Sequence, residues 1–201
     1  MPERTSAGIL EGSQKMTRSS AFIVACLALS IALGVAERAE AQFSAAFELI
    51  KAVKEQDYNE VRTQMMKCRC PNARNADDVP VLVIAAQGRG TEIAAYLLES
   101  GANPNISDRT TKTTALIAFA ERGNSEGVAL MLKAGADPDA SDATGQTALM
   151  QAVRNRQVRI IPMLIEAGAS IDIANYRGES ALDIARNMRY RDIEKMLRDA
   201  S

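Results

Sequence analysis

Two cysteines separated by one residue, Cys68 and Cys70, have the type and spacing that most directly suggest chemistry. A C-x-C pair could exchange disulfides or supply half of a metal site. Two thiolates fall short of the four ligands of a structural zinc site. A disulfide across one intervening residue also needs a particular Cβ geometry. Three interpretations stay open: a local disulfide, two replaceable loop residues, or a disulfide between two chains.

Histidine is absent from the sequence. This removes the commonest general base and the commonest metal ligand, and it leaves the serines and threonines without a histidine to activate them. Four loop aspartates lack the spacing of a calcium loop and suit turns or helix caps instead. They are Asp108, Asp137, Asp139 and Asp142. We therefore predict a protein that is not an enzyme and that binds no metal and no cofactor.

The charges are nearly balanced, with 24 basic and 25 acidic residues among 201 and a formal net charge of −1. Such a chain has no long-range field to attract nucleic acid or a membrane surface. Aromatic residues make up 4% of the chain and tryptophan is absent, although 47% of the residues are hydrophobic. Stacked helix pairs can be filled by the aliphatic residues that remain. We expect a protein partner and no nucleic acid.

The N-terminal region contains the segments of a secretory signal peptide in their usual order. Arg18 precedes an apolar run at 21–36, and the small-residue motif Ala39-Glu40-Ala41 follows. The run is shorter than the roughly 18–20 residues that span a bilayer. The pattern predicts a signal peptide at 1–41, cleaved before Gln42, and a periplasmic or secreted mature chain with no membrane attachment. An uncleaved anchor and a translation start at Met16 are the alternatives.

The segments that surround the cysteines and aspartates repeat at a fixed period. Five leucines recur at intervals of 33, 34, 33 and 33 residues: Leu49, Leu82, Leu116, Leu149 and Leu182. A period in this range indicates a solenoid. In each unit an N-cap such as Thr114 begins an inner helix, and a glycine such as Gly135 follows an outer helix. The inner helices are predicted to start near Phe47, Pro80, Thr114, Thr147 and Ser180.

The unit that begins "DATGQTALMQAV" and ends "EAGASID", with its copies ending "KAGADPD" and "ESGANPN", resembles the ankyrin repeat. The resemblance implies an all-α ankyrin-repeat solenoid of about five helix-turn-helix repeats with protruding loops. The signal segment, with its ending "AEAQ", indicates a bacterial exported type. The repeat domain would occupy 42–201. Its units would be an N-terminal capping repeat at 47–79, three repeats at 80–113, 114–146 and 147–179, and a C-terminal capping repeat at 180–201.

Several positions depart from the ankyrin pattern. The histidine of the motif is replaced at Ile50, Val83, Ile117, Met150 and Asp183, which predicts looser loops. Phe119 stands where a small alanine is usual, and Pro162 should delay or kink its outer helix. In the capping repeats, Glu194 and Arg198 should face water, as should Lys51, Lys54, Glu60 and Arg62. Phe47, Leu49, Ile50, Val53 and Val61 should be buried.

The resemblance implies a scaffold that binds a partner protein in a concave groove formed by the inner helices and loop tips. The predicted binding residues are Arg109, Arg122, Gln146, Gln151, Arg154, Asn155, Tyr176 and Arg177, with Thr110, Glu121 and Thr144 beside them. A partner with an acidic or mixed surface suits these residues, and we expect a monomer. The alternatives are a redox or oxidative-stress accessory that uses Cys68 and Cys70, and an intracellular regulatory subunit if the signal segment is unused.

Overall fold

A computed structural model describes residues 44–88 and 90–200, all within one compact unit, Gln42–Ser201. The predicted signal peptide lies outside the described residues. The 42–201 boundary of the repeat domain stays a prediction.

Ten helices follow one another in the described residues, and they form five inner–outer pairs. The inner helices are α1 (44–55), α3 (Val81–Ala86), α5 (Ala115–Arg122), α7 (Ala148–Arg154) and α9 (Ala181–Asn187). The outer helices are α2 (Tyr58–Cys68), α4 (Glu92–Glu99), α6 (Ser125–Lys133), α8 (Ile160–Glu166) and α10 (Arg191–Asp199). Within the described ranges the only strand-like pairings are isolated bridges at the loops. The predicted all-α solenoid of five repeats is confirmed.

Hydroxyl caps begin three of the inner helices. The side chains of Thr114, Thr147 and Ser180 accept from the backbone N–H three residues later, with N···O distances of 3.3, 3.4 and 3.2 Å. Pro80 precedes α3 in an extended conformation. The first inner helix differs from its prediction, because the chain is already helical at residue 44 rather than near Phe47. Ser44-Ala45-Ala46 contains no helix breaker, so no residue there delays the helix.

The inner helices form the spine of the core. Helix α5 packs between α3 and α7, α7 packs against α9, and α3, α5, α7 and α9 each contact their outer partner. Four of the five periodic leucines are buried, whereas Leu182 is half-buried. Leu182 belongs to α9, the last inner helix of the described chain, so no further inner helix covers it. The leucine period therefore marks the positions at which one repeat stacks on the next.

One prediction for the first repeat, the burial of Phe47, is wrong. Phe47 is 64% exposed, although Leu49, Ile50, Val53 and Val61 are buried as expected. Phe47 belongs to the first inner helix of the described stack, so no earlier described repeat covers its ring.

Two departures from the motif are accommodated by neighbouring residues. Phe119 is fully buried, and its ring lies over Gly127 of α6, where a side chain would collide with it. Pro162 is the third residue of α8, which begins at Ile160. Backbone N–H groups in the first turn have no partner within the helix, so proline is tolerated there. The predicted late start of this helix is confirmed.

The C-terminal repeat ends in a charged cluster. Glu194 accepts a hydrogen bond from Arg186 Nε at 3.2 Å and forms an ion pair with Arg198, whose Nη2 lies 2.6 Å from the Glu194 carboxylate. Its side chain is only 21% exposed, whereas Arg198 is 57% exposed. Arg198 faces water as predicted, but Glu194 is largely covered by the two arginines that neutralise it.

Candidate functional site

Successive hairpin loops are joined at their tips by backbone hydrogen bonds. Ala143 N donates to Thr111 O at 2.7 Å, and Tyr176 N donates to Thr144 O at 3.1 Å. The replacement of the motif histidine predicted looser loops. These bonds tie neighbouring loops directly, through backbone atoms that any residue could supply.

A second ladder runs through the turns that follow the outer helices. Asn72, Asn105 and Asp139 each accept, through Oδ1, a backbone N–H from the next repeat at 2.7–2.8 Å. The donors are Asn103, Asp137 and Ser170. The sequence does contain a signal for this ladder, because an Asn or Asp recurs at these positions with the repeat spacing of 33–34 residues. This role was missed, since the loop aspartates were considered only as turns, caps or metal ligands.

The remaining loop aspartates have local structural roles. Asp108 Oδ1 accepts from the backbone of Thr110 and Thr111, and Asp142 Oδ1 accepts from Thr144 and Gln146. In the part of the chain that the structure describes, no group of His, Cys, Asp or Glu could hold a metal ion. These contacts support turn and cap roles for the aspartates.

The predicted residues at the bases of the later hairpins contact the ends of the inner helices. Arg154 Nε donates to Gln146 Oε1 at 3.1 Å. One repeat later, at the equivalent positions, Asn187 Nδ2 donates to Glu179 Oε1 at 3.2 Å. Each pair links the residue before an N-cap to the residue two turns further along the inner helix. The Gln146 contact therefore fixes the direction of the Arg154 side chain.

Arg122 and Asn155 line one cavity between the second, third and fourth repeats. Asn155 Nδ2 donates to Glu121 O at 3.2 Å, and all three residues line a cavity of about 450 Å³. Arg122 and Gln87 also line a neighbouring cavity of about 570 Å³. The two cavities share Gln87 and Arg122 and form a groove of mixed polar and apolar lining along the C-terminal ends of α3, α5 and α7, which we call the inner-helix groove.

The other predicted binding residues lie apart from that groove. Arg109, at a loop tip, pairs with Asp78 of the preceding loop at 3.0 Å. Tyr176 is 79% exposed, and its ring lies over Gly145 of the preceding loop. Arg177 beside it is exposed, and Gln151 is half-buried on α7. Seven of the eight predicted residues therefore form three groups on inner helices and loops: Arg109, the groove residues with Arg154 and its partner Gln146, and the Tyr176–Arg177 tip. Gln151 on α7 belongs to none of these groups.

The two cysteines belong to the outer-helix side of the first repeat. Cys68, the last residue of α2, forms a disulfide with Cys70, and their Cα atoms are 5.2 Å apart. Cys68 is 3% exposed, and Cys70 is half-buried. The predicted binding residues belong to inner helices and hairpin loops, so the disulfide is not part of the inner-helix groove.

Two carboxylates near the C-terminal end are held in the charged form by hydrogen bonds. The hydroxyl and the backbone N–H of Ser180 lower the pKa of Asp183, with a smaller contribution from the positive charge of Arg186. Arg156 lowers the pKa of Asp192 chiefly by donating a hydrogen bond across the repeat boundary. Asp183 stands at the position of the motif histidine and completes a capping box with Ser180. These shifts follow from contacts that hold the last repeat in place.

In residues 44–88 and 90–200, no helix is long and apolar enough to cross a membrane.

The fold defines a class of protein, the helical-repeat solenoid, whose stacked repeats generally present an extended concave surface. The family model described as ankyrin repeats, three copies, matches residues 49–142, 82–175 and 116–200. The three matches are each displaced by one repeat, and together they cover about three quarters of the chain. The chain belongs to the ankyrin repeat family. Ankyrin repeats generally serve as non-enzymatic modules for protein–protein interaction.

Proposed function

We propose that this protein is an exported, non-enzymatic scaffold that binds a partner protein through its inner helices and loop tips. The observation that carries the proposal is the fixed placement of polar groups on this face. Gln146 orients Arg154, and Asn155 is anchored on the carbonyl of Glu121. Side chains that are already held in place lose less conformational freedom on binding.

The chemistry of this face indicates the kind of partner. Arg122 and Arg154 are the last residues of inner helices α5 and α7, and Arg177 lies at a loop tip beside the exposed ring of Tyr176. Arginine and tyrosine are over-represented at energetic hot spots of interfaces, since they combine buried area with directed hydrogen bonds. An acidic or mixed protein surface is the partner that complements these groups.

Export is part of the proposal and rests mainly on the sequence at 1–41. The disulfide between Cys68 and Cys70 supports it, because such bonds persist in oxidising compartments and are rare in the cytosol. Mass spectrometry of the mature N-terminus tests it directly. We expect a chain that begins at Gln42 in the periplasmic fraction. A full-length chain in the cytosolic fraction would favour an intracellular regulatory subunit.

Site-specific photo-cross-linking in cells tests the binding face. A photoreactive phenylalanine analogue is placed at Arg154 or Tyr176, and in control variants at Lys133 or Glu166 on outer helices α6 and α8. All four positions carry exposed or half-exposed side chains. We expect one cross-linked partner from the first two positions and none from the controls. Cross-links from the outer helices alone would refute the proposed face.

A redox accessory role is disfavoured by the position of the disulfide. Cys68 is buried at the C-terminal end of α2, where the helix dipole is negative. Burial limits the access of an attacking thiolate to the Cys68 sulfur, and the negative end of the helix repels that thiolate. Titration of thiols in the mature protein separates the two roles. Catalytic turnover of a dithiol substrate would support the redox alternative.

A further inference from the structure

The turn after the first outer helix differs from the equivalent turns of the next three repeats. After α4, α6 and α8 the chain turns at Gly101, Gly135 and Gly168, with φ of +92°, +84° and +89°. After α2 the residue in the left-handed region is Arg69, with φ of +49°. The first repeat therefore makes this turn without glycine.

A side chain at this position has a cost that glycine avoids. In the left-handed region the Cβ atom crowds the backbone carbonyl, whereas glycine has no Cβ and enters the region freely. Arginine lacks the short polar side chain with which asparagine or aspartate can bond locally. In this turn Arg69 N–H donates to Met65 O at 2.9 Å, and the disulfide beside Arg69 is a second constraint on its conformation.

The glycine turns are closed by a backbone hydrogen bond. The residue after each glycine is a buried alanine whose N–H donates to a carbonyl in the last turn of the outer helix at 2.9–3.0 Å. These bonds are Ala102 to Leu97, Ala136 to Met131 and Ala169 to Leu164. In the first repeat the residue after the left-handed position is Cys70, which is covalently linked to the last residue of α2. The two cysteines flank Arg69, so the disulfide restricts the backbone conformation of this residue.

The turn at Arg69 lies close in sequence to a residue that contacts the next repeat. Asn72 lies two residues beyond Cys70, and its Oδ1 accepts from the backbone N–H of Asn103 at 2.8 Å. This bond is the first rung of the ladder that joins the turns of successive repeats. A change in the turn at Arg69 therefore reaches the contact between the first and second repeats.

We propose that the Cys68–Cys70 disulfide is a redox latch that replaces the turn glycine and holds the N-terminal repeat on the array. In the oxidised form Arg69 stays in the left-handed region, and Asn72 keeps its hydrogen bond with the backbone N–H of Asn103. Reduction releases this turn and loosens the first repeat while the glycine turns stay closed. A disulfide around three residues restricts the unfolded chain far less than one around a long loop, so its effect is chiefly on the turn.

The reducing step balances with ordinary thiols. Two monothiol molecules, or one dithiol, provide two electrons and two protons. The S–S bond breaks, two S–H groups form on Cys68 and Cys70, and the reductant leaves as a disulfide. The latch does not depend on the identity of the partner or on the binding face.

The test compares the parent protein with Arg69→Gly, each oxidised or reduced with dithiothreitol. We expect reduction to lower the melting temperature of the parent by roughly 3–6 °C. Amide exchange at residues 65–73 and at Asn103 should become at least about tenfold faster. In Arg69→Gly, reduction should change both quantities by less than half as much, because glycine holds the turn without the disulfide.

A cysteine-free variant is the matched control. Cys68→Ser with Cys70→Ala should behave like the reduced parent in either condition, and adding Arg69→Gly should restore slow exchange at Asn103. The latch is refuted if Arg69→Gly shifts the oxidised and reduced proteins equally. It is also refuted if reduction leaves exchange in the parent unchanged.

Discussion

The ring of Phe119 fills the space that a side chain at Gly127 would need. A Cβ atom built at position 127 would lie 2.6 Å from Phe119 Cγ, well inside van der Waals contact. Phe119 belongs to inner helix α5 and Gly127 to outer helix α6 of the same repeat. The large residue in place of the usual alanine is therefore matched by a glycine across the pair.

Gly127→Ala should destabilise the protein by about 1–3 kcal/mol, because the buried ring has little room to move. Helix propensity alone predicts the opposite sign, since alanine in a helix is favoured over glycine by roughly 0.5–1 kcal/mol. Urea unfolding of the purified repeat domain measures the difference. In the Phe119→Ala background the added alanine should be neutral or stabilising. A stabilised Gly127→Ala single variant would contradict the packing.

Substitutions at equivalent positions of successive hairpin loops should change the stability of the protein in opposite directions. Lys112, Gly145 and Gly178 occupy the same place in three successive loops, all with positive φ. Lys112→Gly should stabilise the protein by about 0.5–1 kcal/mol, since it removes the crowding of Cβ in the left-handed region. Gly145→Ala should destabilise by at least about 1 kcal/mol, because its Cβ would also press on Tyr176. Thermal unfolding of both variants should therefore show shifts in opposite directions.

Acid should weaken the C-terminal repeat through Asp183. The pKa of Asp183 is lowered in the folded chain, chiefly by the Ser180 hydroxyl. A lowered folded pKa contributes stability that is present above the unfolded value of about 4 and is lost as pH falls through the folded value. Asp183→Asn and Ser180→Ala should each flatten the decline of stability below about pH 4. Urea titrations from pH 6 to pH 2.5 check this, and parallel curves for parent and variants would contradict it.

The sequence predicted the positions of the repeats well, because helix caps and turn glycines mark where each repeat begins and ends. Thr114 caps its helix as expected, and Gly135 makes the left-handed turn, since both signals depend on a few neighbouring residues. The burial of Phe47 was predicted wrongly. A hydrophobic pattern shows which face of a helix is apolar but not whether another repeat covers that face.

The candidate site was harder to predict than the fold. Repeat position assigned Arg109 and Arg154 to one surface, but the pairing of Arg109 with Asp78 depends on side-chain directions in two loops. The contact of Gln146 with Arg154 was likewise outside the reach of spacing arguments. The spacing of the repeats predicts on which face of the array a residue lies. Which residues of that face contact one another depends on hydrogen bonds between residues that are distant in the sequence.

The central claim, that the partner binds to the inner-helix and loop face, is tested most directly by one affinity comparison. The partner identified by cross-linking is titrated against the parent, against Tyr176→Ala with Arg177→Ala, and against Lys133→Ala with Glu166→Ala. We expect the first double variant to bind at least about tenfold more weakly, with its melting temperature nearly unchanged, as for the loss of an interface hot spot. The outer-helix variant should bind like the parent. Parent-like binding by the Tyr176–Arg177 variant, together with loss of binding by the outer-helix variant, would contradict the account.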